Sequence, residues 1–280
     1  MHLAERNIAI ACNPFSKKAK VATESISLLL IGMDIRHQVF YSQWPVEWEP
    51  FSEVWLVGGD GTLNYFINTY PDTEIPIAIF KGGTGNDFHN LLYGISTVEE
   101  QAERLLKRNI HYLDAGRCNG RLFINGVGIG FDGKVVEDLQ SKNKGRFSYW
   151  KAIVLNILIY KEFHYSIDMG ADGLTGKSFM ISVANGKTFG GGFRVAPLAE
   201  NNDGLLDLSI IGKMHPFKRV RYVPVIQKGH HLKLNCTTYL QTASLVLKSA
   251  NEIPAHIDGE FFTSNHFIID CLPKRFPFLL

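Results

Sequence analysis

The chain has 280 residues, of which 45% are hydrophobic and 20% are charged, a balance that supports a folded core and excludes disordered and fibrous proteins. Its formal net charge of +2 is too small for a protein that coats nucleic acid, so no nucleic-acid partner is expected. We expect a cytoplasmic protein, because the first residues lack a signal-peptide pattern, the apolar stretch Trp150–Tyr160 is too short to cross a bilayer, and the four cysteines form no zinc motif.

Short apolar runs alternate with helical patterns in the first part of the chain. The predicted strands are Asn7–Cys12, Asp34–Phe40, Glu53–Val57 and Pro76–Phe80. Helical spacing predicts helices over Lys18–Ile31 and Leu63–Asn68. Ser96 and Glu99 have the spacing of a capping box ahead of a third helix, Thr97–Lys107. Strands that alternate with helices predict a parallel sheet covered by helices.

The second part of the chain is rich in strand patterns. Asn119-Gly120 lies between two apolar runs and predicts a two-residue hairpin turn. Further strand patterns cover Phe179–Ala184, Leu205–Ile211, Ser244–Leu247 and Phe267–Cys271. We therefore divide the chain into residues 1–112 and 113–271, and residues 272–280 are a candidate to pack back on the first domain.

A glycine-rich segment, Gly58–Thr62 (GGDGT), directly follows the third predicted strand and precedes a helix. Glycine lets backbone N–H groups approach phosphate oxygens, and the start of a helix favours negative charge. Asp60 would repel a phosphate unless a cation lay between them, and Mg²⁺ is the natural bridging ion. The pattern favours a nucleotide-phosphate site over the alternative, a tight turn without a ligand.

Two more polar segments follow predicted strands of the same sheet. Gly82–Phe88 (GGTGNDF) comes after the fourth strand, and Asn13–Ser16 (NPFS) comes after the first. The carboxyl ends of parallel strands meet at one edge of a sheet, where ligands bind in open α/β folds. We therefore expect all three segments at that edge, although Asn13–Ser16 on its own is typical of an ordinary turn.

Two other glycine patterns resemble nucleotide motifs without their context. Gly128–Gly133 satisfies GxGxxG, but the acidic residue that would hold a ribose about 20 positions later is missing, so a tight turn in the second domain is predicted. Ala171–Ser178 resembles a P-loop, but a strand pattern follows it where a P-loop needs a helix. A hairpin tip is predicted there instead.

One long segment of the second domain, residues 208–251, contains no Asp or Glu. Its Lys and Arg residues are Lys213, Lys218, Arg219, Arg221, Lys228, Lys233 and Lys248. An exposed basic face is attracted to anionic lipid by about 1 kcal/mol per Lys or Arg, so we expect peripheral association with the inner face of a membrane. A solvated face is the alternative.

The apolar run Phe147–Phe163 predicts a helix on the second domain's core, with a lipid-facing lip as the alternative.

Six motifs occur in the order found in the diacylglycerol kinase and sphingosine kinase catalytic-domain family. They are GGDGTLN (Gly58–Asn64), GGTGNDF (Gly82–Phe88), NGVGIGFDG (Asn125–Gly133), NGKTFGGGFRVAP (Asn185–Pro197), DGLLDL (Asp203–Leu208) and DGE (Asp258–Glu260). GGDGT alone is shared with NAD kinases and resembles a 6-phosphofructokinase loop, whereas the ordered set is specific. From Asn7 to its end, the chain resembles the small soluble bacterial lipid kinases of this family.

This resemblance implies an N-terminal α/β domain with an NAD-kinase/phosphofructokinase-like parallel sheet, a C-terminal β-sandwich and an active site in the cleft between them. It implies an ATP- and Mg²⁺-dependent kinase that transfers the γ-phosphate to a hydroxyl of a membrane lipid, diacylglycerol or a related lipid alcohol. Phosphoryl transfer needs positioning, charge neutralisation and a carboxylate that accepts the hydroxyl proton, and the chain offers these residue types.

The resemblance also assigns roles to matching residues. The implied ATP site consists of Asn13, Gly58, Gly59, Asp60, Gly61, Thr62, Leu63, Asn64, Thr84 and Asn86. Asp60 would also be a catalytic residue that contacts the Mg²⁺ of ATP. Asp258 or Glu260 would be the general base, and their spacing does not distinguish them.

A structural Mg²⁺ is implied as well, held by Asp203 and the carbonyl groups of Glu200 and Leu205. One departure from the family concerns the first motif, where glycine usually follows Asn-Pro-x-Ser and this chain has lysines at positions 17, 18 and 20. Two alternative functions stay open: a soluble kinase similar to NAD kinases, and a catalytically silent module that senses nucleotide or lipid. A homodimer is left open too.

Overall fold

The computed structural model describes residues 6–140, 156–170 and 172–280. The chain divides into two compact units: the first runs through Asp114 and takes in Lys274–Leu280, and the second is Ala115–Pro273. Most of the apolar stretches Trp150–Tyr160 and Phe147–Phe163 lies outside the described residues. No helix in the described ranges has both the length and the apolar character needed to span a membrane.

The first unit contains a parallel sheet. Its described strands are β1 (Asn7–Cys12), β2 (Arg36–Phe40), β3 (Glu53–Gly58) and β4 (Ile77–Lys81). β1 pairs in parallel with β2 and β3, and β3 pairs in parallel with β4. Every residue of β3 is buried, as expected for a parallel strand covered on both faces. The predicted parallel sheet is confirmed, and Phe278 near the C-terminus pairs in parallel with Ile77 of β4.

Helices connect these strands. Those described in the first unit are α1 (Lys17–Gly32), α2 (Asp60–Thr69), α3 (Asp87–Tyr93) and α4 (Val98–Leu105). The hydroxyl of Ser16 fixes the start of α1, because it accepts a hydrogen bond from the N–H of Ala19 at 3.2 Å. The rings of Trp55 and Phe80, on β3 and β4, are buried with centroids 5.1 Å apart. The strand ends that carry the glycine segments are therefore anchored in a packed core.

The capping box of α4 differs from the prediction by one residue. The predicted pair was Ser96 and Glu99, but the box is formed by Thr97 and Glu100. The Thr97 hydroxyl accepts from the Glu100 N–H at 3.1 Å, and the Glu100 carboxylate accepts from the Thr97 N–H at 2.9 Å. Both pairs have the same S/T-x-x-E spacing, so the sequence pattern alone does not choose between them.

The strands of the second unit pair in antiparallel fashion. The described strands that lie wholly or partly in it are β5 (Ile110–Cys118), β6 (Arg121–Phe123), β7 (Gly126–Gly130), β8 (Phe163–Asp168), β9 (Gly173–Ala184), β10 (Leu206–Gly212), β11 (Thr237–Thr242), β12 (Ser244–Ile257) and β13 (Glu260–Leu279). β7, β9, β10 and β11 are neighbours in that order, and β12 pairs with β7, β8 and β13. Their inward side chains, such as Val127, Ile181 and Phe267, form one apolar core.

Two longer helices and a hairpin turn also lie among the described residues of the second unit. α5 (Phe131–Gln140) follows β7, and α6 (Pro216–Gln227) precedes a short 3-10 turn, His231–Lys233. The hairpin predicted at Asn119-Gly120 is confirmed, with both residues at positive φ between β5 and β6. β12 and β13 are much longer than the predicted runs, because polar residues on their exposed face interrupt the apolar pattern.

The two glycine patterns predicted as turns are bordered by regular elements. Most of Ala171–Ser178, predicted as a hairpin tip, belongs to β9: Gly173–Ser178 pairs with Asp168–Phe163 of β8. The turn itself comes earlier, where the Met169 N–H donates to the Asp172 carbonyl at 2.9 Å. Gly128–Gly133 contains the end of β7 and the start of α5, joined at Gly130, whose φ of +90° suits glycine.

Candidate functional site

The GGDGT segment is a junction between a strand and a helix with almost no loop. β3 ends at Gly58 and α2 begins at Asp60, so the helix starts earlier than the predicted Leu63. Gly59 is the N-cap and supplies no side-chain cap. The backbone N–H groups at the start of α2 are therefore the kind of donors that bind anions.

Asp60 joins the two glycine segments. One carboxylate oxygen accepts from the N–H of Asp87 at 2.9 Å and the other accepts from the N–H of Phe88 at 3.0 Å. These are the first two N–H groups of α3, and the N-cap residue of α3, Asn86, makes no side-chain cap hydrogen bond. Asp60 therefore caps the neighbouring helix, which confirms the prediction that the two segments lie at one edge of the sheet.

Glycine is required at several of these positions because the segments touch each other. A Cβ at Gly59 would lie 2.5 Å from the carbonyl oxygen of Gly85, and a Cβ at Gly83 would lie 2.5 Å from the Cα of Gly59. A Cβ at Gly82 would lie 2.8 Å from the Cβ of Ala19 on α1. Gly61 differs, because a Cβ there would meet no described residue within 4 Å apart from its own helix backbone and chain neighbours. The open space over the first turn of α2 is therefore at Gly61.

The Asn13–Ser16 segment is the third part of the same edge. The Asn13 side-chain amide donates to the Thr62 hydroxyl at 3.0 Å, and its oxygen accepts from the Phe15 N–H at 3.0 Å. The Ser16 hydroxyl donates to the carbonyl of Gly82. Asn13 thus binds the first glycine segment and Ser16 binds the second, so all three predicted segments are brought together.

The remaining residues of the implied ATP site have mixed environments. The Asn86 side chain bonds both backbone groups of Gly83 at 3.2 Å, which closes the second segment on itself. Thr84 is exposed beside it. Leu63 and Asn64 are buried in α2. The Asn64 side-chain oxygen accepts from the Asn68 side-chain amide at 3.3 Å.

In the second unit, Asp258 and Gly259 form the turn between β12 and β13, with φ values of 46° and 87°. The Asp258 carboxylate accepts from three consecutive backbone N–H groups. They belong to Ile124 at 2.9 Å, Asn125 at 3.0 Å and Gly126 at 2.9 Å. Asp258 therefore fixes the backbone at the start of the NGVGIGFDG motif.

Glu260 has a different environment on the other side of Gly259. Its side chain is 56% exposed and forms an ion pair with Arg121, which is itself 42% exposed. Ion pairs between exposed side chains contribute little energy and open readily. Glu260 is thus the carboxylate of the DGE motif that can leave its partner at little cost.

His256 and Asp132 form a contact that the sequence did not predict. The His256 Nε2 lies 3.0 Å from the Asp132 carboxylate, and its Nδ1 accepts from the Gly259 N–H at 3.2 Å. The imidazole is 2% exposed, and the ring of Phe189 packs edge-on against it. His256 lies on β12, and its side chain links the GFDG motif to the DGE turn. The sequence signal for this contact was the position of His256, two residues before Asp258.

The implied metal residues lie around a buried carboxylate. The Asp203 carboxylate accepts from the Leu205 N–H at 3.0 Å. Asp207 is buried, and one of its oxygens has no hydrogen-bond partner. Burial raises the pKa of Asp207, and the charges of Asp203 and Glu200 raise it further. No set of three or more His, Cys, Asp or Glu side chains in the described ranges is placed to hold a metal, so a cation here would need backbone carbonyls as well.

Comparison with known proteins assigns the family. Residues 13–118 match the diacylglycerol kinase catalytic domain, and residues 125–279 match the YegS C-terminal NAD kinase beta sandwich-like domain. The chain therefore belongs to the diacylglycerol-kinase-like lipid kinase family, as the ordered motifs indicated.

Individual relatives agree with this assignment. The chain is 27% identical to a protein of Shewanella frigidimarina named "Probable lipid kinase YegS-like", over 80% of this chain and 74% of that one. It is also 27% identical to a protein of Mycobacterium tuberculosis named "Diacylglycerol kinase", over 74% and 70% of the two chains. A crystal structure of a Bacillus anthracis diacylglycerol kinase has a TM-score of 0.73 at 19% identity, covering 98% of this chain and 96% of its own, and so shares the fold.

Proposed function

We propose that the protein is an ATP- and Mg²⁺-dependent lipid kinase that transfers the γ-phosphate of ATP to a hydroxyl of a membrane lipid, diacylglycerol or a related lipid alcohol. The observation that carries the proposal is the interlocking of three polar segments by Asp60, Asn13 and Ser16 at the carboxyl ends of parallel strands. Ligands of open α/β sheets bind at such an edge. The names of the relatives supply the lipid.

The first unit would bind the nucleotide. The start of α2, with open space at Gly61, offers backbone N–H groups to phosphate oxygens. Thr84 offers a hydroxyl from the second segment. Each carboxylate oxygen of Asp60 accepts one backbone N–H and has the capacity for a second partner, which suits a residue that also contacts Mg²⁺. Mg²⁺ would neutralise charge on the transferring phosphoryl group.

Glu260 would be the general base in the second unit. A base must be free to approach the substrate hydroxyl, and the Glu260 carboxylate has only an exposed ion pair to give up. Asp258 would give up three backbone hydrogen bonds to do the same. Asp258 therefore acts as the positioning residue of the turn, and Glu260 takes the proton.

A structural cation would be held by Asp203, with the carbonyl groups of Glu200 and Leu205. The support is the unpartnered oxygen of Asp207, which lies close enough to Asp203 and Glu200 for their charges to raise its pKa. A bound cation would relieve this accumulation of negative charge.

Membrane association through the basic residues 208–251 is part of the proposal, with one correction. Arg219 is buried, donates to the carbonyl of Ile157 at 3.1 Å and pairs with Glu162 at 2.6 Å. It therefore serves the fold, and only the other basic residues of the stretch can face lipid.

The decisive experiment follows labelled γ-phosphate from ATP, with Mg²⁺, into diacylglycerol, phosphatidylglycerol, sphingosine, ceramide and NAD. We expect label in a lipid product, and we expect Glu260→Gln to lower kcat by roughly 100-fold or more, the contribution of a general base. Glu252→Gln, on the same hairpin, is the matched control and should retain activity. Label in NADP would favour the NAD-kinase alternative, and ATP binding without any product would favour a silent module. Either result contradicts the proposal.

A further inference from the structure

A basic cavity lies in the second unit, away from the DGE turn in sequence. Its volume is about 490 Å³. The charged or ionisable side chains that line it are those of Lys213, His215, Lys218 and Lys233. They come from three segments: the residues after β10, the first turn of α6, and the 3-10 turn. None of the described residues that line the cavity is acidic.

The charges of the three lysines of this cavity are not balanced by an acidic partner among the described residues. All three side chains are exposed, and no ion pair found between described residues joins any of them to a carboxylate. Like charges gathered around one cavity repel each other, and an anion removes that repulsion. The cavity therefore has the charge of an anion site, and lysine ammonium groups are common ligands of phosphate.

A second cavity of about 590 Å³ adjoins the first, and Lys213, Met214 and His215 line both. Its apolar lining consists of Leu158, Ile159, Tyr160, Met214 and Pro216. Of the charged residues that line it, Arg219 pairs with Glu162 and lies over the ring of Phe179 at 4.6 Å, whereas Lys161 and Lys213 have no ion pair with another described residue.

Large apolar side chains also stand free beside these cavities. Ile159 is 71% exposed, and Phe217 is 76% exposed with its ring stacked on His215. Exposed apolar residues rimmed by basic ones are typical of surfaces that meet lipid. A ligand with a phosphate at one end and hydrocarbon at the other would use both cavities and both exposed side chains.

We propose that this pair of cavities binds one molecule of an anionic glycerophospholipid, with its phosphate among Lys213, Lys218 and Lys233 and its first acyl carbons on the Leu158–Tyr160 side. This site goes beyond the general attraction of a basic surface, because it combines named lysines with an adjoining apolar lining that one lipid molecule would contact. It is also a separate site from the acceptor-hydroxyl site proposed at Glu260.

The test uses dihexanoyl-phosphatidylglycerol below its critical micelle concentration, titrated calorimetrically into the full chain without ATP. We expect saturable binding at one site. Glycerol phosphate and inorganic phosphate should bind much more weakly because they lack acyl chains, and dihexanoyl-phosphatidylcholine should bind weakly because it has no net charge. Binding of inorganic phosphate as tight as that of the lipid would overturn the lipid assignment.

Two triple variants with the same loss of charge separate the site from the basic surface. Lys213→Gln with Lys218→Gln and Lys233→Gln should weaken binding by roughly 100-fold, as expected for about 1 kcal/mol per basic residue. The control carries Arg221→Gln, Lys228→Gln and Lys248→Gln, which lie in the same basic stretch and do not line either cavity. The control should bind normally, and equal weakening of both variants would overturn the proposal.

A third variant tests the apolar half. Ile159→Gln removes an exposed apolar contact and leaves the lysines in place, so it should weaken the lipid several-fold without changing the affinity for glycerol phosphate. Unchanged lipid binding would contradict the acyl assignment, provided that thermal unfolding shows every variant folded. These measurements need no ATP, so absence of kinase activity would contradict the proposed function alone.

Discussion

Two junctions between a strand and a helix have nearly the same local sequence and different roles. β3 leads into α2 through GGDGT, and β7 leads into α5 through GIGFDG. Each places an aspartate in the first helical turn, Asp60 in one and Asp132 in the other. Asp60 accepts two backbone N–H groups of α3, whereas Asp132 meets the imidazole of His256.

The difference comes from what each sheet places opposite the junction. In a parallel sheet, the neighbouring strand ends at the same edge and leads into its own helix, so Asp60 finds helical N–H donors. In the antiparallel sheet, β12 runs past β7 towards a hairpin turn, so Asp132 finds a side chain of that strand. The same motif therefore caps a neighbouring helix in one unit and supports the DGE turn in the other.

Removal of the Asp60 charge should have the largest effect. Asp60→Asn keeps the size of the side chain but turns one acceptor oxygen into a donor that faces a backbone N–H. We expect roughly a 1,000-fold loss of phosphoryl transfer, on the scale of removing a preorganised charge partner. Each hydrogen bond to a charged group contributes about 2 kcal/mol, so the unfolding free energy should fall by a similar amount.

The measurements for Asp60 are single-turnover transfer and urea unfolding. Asp34→Asn, at another site of the same unit, serves as the control for the loss of one charge. Full activity in folded Asp60→Asn would contradict the assignment of this edge as the phosphate site.

Substitution of Gly61 should have the next largest effect. It should raise the stability of the fold but weaken the use of ATP. Apart from its chain neighbours and the backbone of its own helix, no described residue lies within 4 Å of a Cβ at this position, and the residue is helical. Gly61→Ala should therefore stabilise the fold by up to about 1 kcal/mol. If ATP phosphate approaches the backbone here, the same methyl group should raise the KM for ATP roughly 10-fold. Thermal unfolding and ATP-dependent kinetics check the two signs, and an unchanged KM would place the phosphate elsewhere.

Gly128 tests the second junction in the same way. A Cβ there would lie 2.3 Å from the Asp132 carboxylate and 2.4 Å from the His256 Nε2. Gly128→Ala should push these side chains apart and lower the unfolding free energy by about 1–3 kcal/mol, the range for overpacking. Urea unfolding measures the loss, and Gly61→Ala is its control because the added methyl group is the same. Equal stability of both variants would contradict the contrast between the junctions.

The sequence predicted what depends on local pattern and on strand direction. The three segments at one edge follow from the parallel order of β1, β3 and β4, which alternating strands and helices imply. It did not predict that Asp60 caps α3 or that Asp132 meets His256, because these contacts join residues far apart in the chain. The sequence also did not predict that Thr97, and not Ser96, caps α4, since both residues have suitable spacing.

The smallest predicted effect is a loss of stability at acid pH, and it arises from His89 on α3, the helix that Asp60 caps. His89 of α3 is buried, with its Nε2 2.9 Å from the side-chain oxygen of Gln101, and burial lowers the pKa of His89. Below about pH 6.5, the usual value for histidine, the unfolded chain takes up a proton that the folded chain does not. Stability should therefore fall as the pH drops from neutral towards the lowered pKa of the folded state.

His89→Gln removes this proton uptake, so it should reduce the difference between urea midpoints measured at about pH 7.5 and about pH 5.5. His111→Gln is the control, because His111 is exposed. Since glutamine can donate to Gln101 as the neutral imidazole does, the variant should stay folded at neutral pH. An acid-induced loss that is unchanged in His89→Gln would show that other groups dominate the pH dependence of stability. In that case, the capped helix would be no more sensitive to acid than the rest of the chain.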